Sequence, residues 1–136
     1  MIKIQVKVVA TQISDTIDIR DVDGYATITE LGMMRRLVYQ EGCGAIVQLD
    51  FDAEQVLLNR KSDWTTQASF SSVDTSSARI ISSEGEIYFG VNVLEISIKE
   101  NSIYIKYEMK QADELIDTHI FNCVWTKEEE AWLEIH

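Results

Sequence analysis

The sequence predicts an all-β chain closed into one antiparallel, mostly up-and-down barrel of about eight to ten strands. Three observations predict it: apolar and polar residues alternate along most of the chain, turn-forming dipeptides recur at short intervals, and helical periodicity is scarce. So many strands on short connections do not stay an open flat sheet, and closure removes edges that would template aggregation. A β-sandwich is the alternative architecture.

The first strand sets Ile2, Ile4, Val6 and Val8 on one face, with Lys3, Gln5 and Lys7 opposite. Further strands are expected over 16–20, 25–31, 33–40, 45–51 and 55–60, separated by Asp23-Gly24, Gly32, Gly42-Cys43-Gly44 and Asp52-Ala53. The stretch 68–85 holds seven serines in eighteen residues, and it reads as sheet rather than linker. Trp64, Thr66, Ala68 and Phe70 share one face of a strand, Val73-Asp74 turns the chain, and a second strand runs from about 76 to 83. A nucleophilic serine needs an adjacent base, and a hydrolase elbow needs G-x-S-x-G, which is absent.

The run 86–99 is long for a strand and its alternation changes phase. Ile87, Phe89, Val91 and Val93 share one phase, whereas Leu94, Ile96 and Ile98 share the other, as a β-bulge or sharp bend produces. Glu100-Asn101-Ser102 then turns the chain into Ile103, Ile105, Tyr107 and Met109, and 115–125 supplies a last strand. Thr126 and Glu129 stand at capping-box spacing, so one or two helical turns are expected in the tail. The absence of proline is compatible with long uninterrupted ladders.

At 136 residues the chain fits one domain, 1–136, with its own core and no need of disulfides or metal. A formal charge of −11 opposes any polyphosphate and excludes nucleic acid as a partner. The N-terminus alternates instead of showing a signal-peptide pattern. No apolar run approaches the roughly 20 residues of a membrane helix, so a cytoplasmic protein without membrane insertion is expected. Cys43 and Cys123 lie far apart with no C-x-x-C spacing, which indicates reduced thiols rather than a disulfide framework or zinc site. Neither a cofactor nor a metal is expected.

Other chemistry-bearing residues read as structural. His119 and Cys123, four apart on a strand, are roughly 13 Å apart along it and form no dyad. Asp50, Asp52 and Glu54 alternate, yet the stretch lacks the glycine and terminal acid of a calcium loop. Glu128, Glu129 and Glu130 read as a solvated tail, and His136 as the chain end.

Arg60, Phe70, Ala78-Arg79, Gly85-Glu86-Ile87 and the run Ile103 to Met109 carry a resemblance. Over about half its length the chain resembles the YwiB-like family, bacterial domains of unknown function with a calycin-type, lipocalin-like barrel. It departs from that pattern at Ser62, Ile80 and Glu84, where a glycine, a tyrosine and an aromatic residue are expected. The resemblance implies the barrel and brings no catalytic residue.

An arginine on a barrel strand can face inward and hold an anionic group bidentately, with aromatic residues as the wall. Arg60 and Arg79, with Trp64, Phe70, Tyr88 and Tyr107, are therefore the candidate ligand-binding residues; pairing of either arginine with a glutamate is the structural alternative. The function expected is non-catalytic binding of a small amphipathic or anionic ligand in the barrel. The alternative is a filled barrel serving as an interaction or homodimer module, with Trp125, Trp132 and Leu133 in its patch. An enzyme would need a perturbed acid or base in a cleft.

Overall fold

A computed structural model describes residues 3–14 and 19–127. They form ten strands: β1 (Lys3–Ser14), β2 (Ile19–Leu31), β3 (Met34–Gln40), β4 (Ile46–Phe51), β5 (Gln55–Lys61), β6 (Thr65–Ser71), β7 (Ser76–Ser82), β8 (Gly85–Lys99), β9 (Ser102–Gln111) and β10 (Glu114–Lys127). Each strand pairs antiparallel with its sequence neighbour, and β1 pairs β10 from Val6 opposite Lys127 to Ser14 opposite His119, which closes the barrel. The meander is therefore complete, and no edge strand remains.

Alternation sets the inner face. Val6, Val8 and Ala10 of β1 are buried, as are Leu37 and Tyr39 of β3, Val47, Leu49 and Phe51 of β4, and Ile103 and Ile105 of β9. The phase change in β8 is a bulge: Val93 pairs Tyr107 and Glu95 pairs Lys106, so Leu94 is the extra residue. Leu94 stays exposed, while Ile96 and Ile98 pack on the core. A second irregularity between Leu115 and Asp117 does the same in β10, leaving Ile116 outside.

Two expectations are corrected. Asp23-Gly24 is no turn: Gly24 sits within β2 opposite Val8, because pairing along thirteen residues of β2 overrides the local turn preference. The tail begins as strand, since Thr126 pairs Lys7 and Lys127 pairs Val6. The remainder of the expected helix, with Glu128 to Glu130, Trp132, Leu133 and His136, lies outside the described residues.

The serines tie turns. Ser76 Oγ accepts from the Ser71 backbone N–H at 2.9 Å, and Ser71 Oγ accepts from those of Val73 and Asp74 at 3.1 and 2.9 Å. Ser82 Oγ accepts from the Glu84 N–H at 3.2 Å. The last hairpin uses two non-glycine residues at positive φ, Ala112 (51°) and Asp113 (64°).

Candidate functional site

The two ends of the barrel differ. At one end Phe51 and Trp125 pack with ring centroids 5.4 Å apart, and the Arg35 guanidinium lies 4.8 Å from the first ring and 5.7 Å from the second. Arg35 Nη1 and Nη2 donate to the carbonyls of Glu100 and Lys99 at 2.7 and 3.3 Å, so this cation seals the packed end and ties β3 to the β8–β9 turn.

Toward the other end the core gives way to a cavity of about 230 Å³. Tyr39, Trp64, Tyr107 and Phe121 supply aromatic walls, and Gln12, Glu41, Arg60 and His119 supply polar groups. Tyr39 is buried, and its phenol is pushed well above the ordinary tyrosine range, first by burial and then by the neighbouring Cys123 and Glu41. It therefore stays neutral and forms part of the cavity wall.

Arg60 reaches Glu41 bidentately: Nη2 to Oε1 at 2.8 Å and Nε to Oε1 and Oε2 at 3.1 and 3.2 Å. Both side chains are only 12% exposed, so each charge is answered inside the cavity wall. The glutamate pairing foreseen as the structural alternative for Arg60 is thus present, and Glu41 is its partner.

A second polar group was not foreseen. Gln12 Nε2 donates to the Tyr107 hydroxyl at 3.1 Å and lies 2.8 Å from His119 Nδ1. On its other side the ring brings His119 Nε2 to within 3.4 Å of Asp117 Oδ2. Ser14 Oγ donates to the same carboxylate oxygen. The Tyr107 and His119 rings stack at 5.2 Å and 9°, and Phe70 tilts against Tyr107 at 4.6 Å. Gln12 and His119 are 107 residues apart; only closure of β1 on β10 joins them, so no local motif announces the cluster. Of the two residues read as packed or rim positions, Cys123 is wholly buried in the core, whereas His119 lines the cavity.

Of the six candidate residues, Arg60, Trp64 and Tyr107 line this cavity and Phe70 packs behind Tyr107. Arg79 and Tyr88 do not join them. They pair with each other across β7 and β8 on the outer face, between the pairs Ala78–Phe89 and Ile80–Ile87, and Tyr88 is 64% exposed. The phase of Ile87 and Phe89 already assigned Tyr88 to the opposite side. Among the described residues no group of three metal-ligating side chains occurs, and no helix is long and apolar enough to cross a membrane.

A ten-stranded up-and-down barrel, packed at one end and hollow toward the other, defines an all-β barrel domain, an architecture that a lipocalin-like description fits. The chain belongs to the family described as Domain of unknown function (DUF1934), whose model matches residues 2–122. The crystal structure of the ywiB protein from Bacillus subtilis superposes with a TM-score of 0.70 at 14% identity, covering 92% of each chain. At that identity the likeness shows a shared fold. No curated protein sequence matches the chain.

Proposed function

We propose that the protein is a non-catalytic binder of a small, uncharged amphipathic molecule, held in the cavity of the hollow end. The observation that carries this reading is the cavity of about 230 Å³ with aromatic walls and a polar group at its side. Its volume lies below the roughly 300–1,000 Å³ of drug-sized sites, so a compact ligand fits. Tyr39, Phe121 and Tyr107 offer apolar surface; Gln12 and Thr66 add polar groups to the lining. Because Glu41 already neutralises Arg60, an anionic head group finds no uncommitted cation there, and the amphipathic ligand is favoured over the anionic one. Two free thiols fit a reducing, cytoplasmic setting.

NMR titration of the labelled protein with p-cresol and with 1-hexanol tests the reading. Saturable shifts at Gln12, Tyr39, Thr66, Tyr107 and His119 are expected. Uniform or absent shifts from both probes would contradict it.

A second reading is a homodimer through the outer face of β1 and β10. Val9 and Val124 are register partners there and are 52% and 37% exposed, with Ile13 further along at 45%. Sedimentation at micromolar concentration decides it: a monomer removes this reading.

A further inference from the structure

A groove of about 640 Å³ crosses the outer face of β4 to β9, on the side of the sheet away from the barrel interior. Its floor is low because Ser69, Ser77 and Gly90 are successive register partners, with Lys110 next in the row. Alongside runs a second row in register across five strands: Gln48, Asn59, Gln67, Arg79 and Tyr88. Neighbouring members are one strand spacing apart, about 4.8 Å, and every member carries a hydrogen-bonding group.

Three features of these rows point to a ligand. Asn59 Oδ1 is shut from solvent and accepts no hydrogen bond, so turning that amide toward the groove sacrifices no bond at the oxygen and lets an incoming donor satisfy it. Arg79 Nε donates to Gln67 Oε1 at 2.8 Å, while Nη1 keeps only a long 3.7 Å approach to Glu86, leaving the outer guanidinium nitrogens for a guest. The Tyr88 hydroxyl donates to the Glu86 carboxylate, which steadies an exposed ring as a platform. Charge is local as well: Asp50 is answered by Arg36 at 2.7 Å, and Lys110 has no ion-pair partner among the described residues. Arg79 is only loosely answered by Glu86 and Lys110 is unanswered among the described residues, so the groove carries accessible positive charge on a chain of net charge −11.

The strands under the groove are paired on both sides, so a peptide cannot dock here by strand addition. Repeated amides and hydroxyls beside one aromatic face match a chain of hydroxyl-bearing rings, and the two cations match carboxylates on it. We propose that this groove binds an extended acidic oligosaccharide, with its hydroxyls on Gln48, Asn59 and Gln67, one ring over Tyr88, and carboxylates at Arg79 and Lys110. The site is separate from the interior cavity, and neither depends on the other.

The test is NMR titration of the labelled protein with a linear hexagalacturonate, with neutral maltohexaose and hexaglutamate as controls. The polyuronate should shift the backbone signals of Asn59, Gln67, Arg79, Tyr88 and Gly90 and the side-chain amides of Asn59 and Gln67. Gly90→Val fills the floor without strain, since an added Cβ meets nothing nearer than the Lys110 carbonyl at 3.8 Å. That variant and Arg79→Met should each weaken binding by about tenfold or more while the urea midpoint is kept. No saturation through the millimolar range, shifts confined to the barrel mouth, or equal binding of either control would overturn the proposal.

Discussion

Glu41 and Arg60 hold each other across the intervening strand β4, three nitrogen–oxygen approaches of 2.8 to 3.2 Å joining the end of β3 to β5 at the cavity wall. With both side chains 12% exposed, the pair is largely withdrawn from water. Removing one partner strands a charge, whereas removing both does not. Glu41→Ala should therefore cost about 2–4 kcal/mol in urea unfolding, and the double change Glu41→Met with Arg60→Met should recover most of it. Equal losses in the single and double variants would show that the coupling is absent.

The turn between β4 and β5 carries a pH dependence. Asp52 Oδ1 accepts from the backbone N–H groups of Glu54 and Gln55 at 2.8 and 3.1 Å. Its carboxyl is held below the ordinary range, first by the Glu54 N–H, which burial opposes, and then by Gln55 through side chain and backbone. With the folded pKa depressed, the contribution is whole above the unfolded value of about 3.9 and disappears as pH falls through the folded value. Asp52→Asn keeps an acceptor but does not titrate, so its stability should fall less than that of the parent between pH 5 and pH 2. A parallel fall in both proteins would refute the assignment.

Ala112 and Asp113 form the β9–β10 turn with φ of 51° and 64°, a conformation unfavourable for any residue with a Cβ. Two successive positive φ values are what Asn-Gly supplies in a two-residue hairpin. Replacing Ala112-Asp113 by Asn-Gly should raise stability by about 1 kcal/mol, read as a higher urea midpoint with an unchanged slope. A lower midpoint would mean that those side chains stabilise the turn by some other route.

The two thiols should separate kinetically. Cys43 is exposed, whereas Cys123 is buried and its thiol is pushed up to about 12 by burial. A disulfide reagent at pH 8 should modify one thiol per chain promptly and the second only on unfolding. Prompt loss of both would place Cys123 at an accessible position.

Most of the barrel is legible in the sequence because a period of two survives nearly every strand, and even the bulge at Leu94 is visible as a change of phase. The Asp23-Gly24 misreading shows where local propensity yields, since β1 and β2 pair straight through it. The site was legible only in part. Arg60, Trp64 and Tyr107 fall at the cavity, yet Arg79 and Tyr88 were grouped with them by residue type although their strand phase sends them outward. Gln12 and His119 depend on which distant strands meet, and spacing along one chain does not encode that register directly.

The central claim is that the hollow end is a binding site. Native mass spectrometry of the gently purified protein, beside a Thr66→Trp variant that fills the cavity, tests it most directly. The account predicts an additional small mass on the parent, released on denaturation and absent from the folded variant. A bare parent chain, or the same added mass on both proteins, would contradict it.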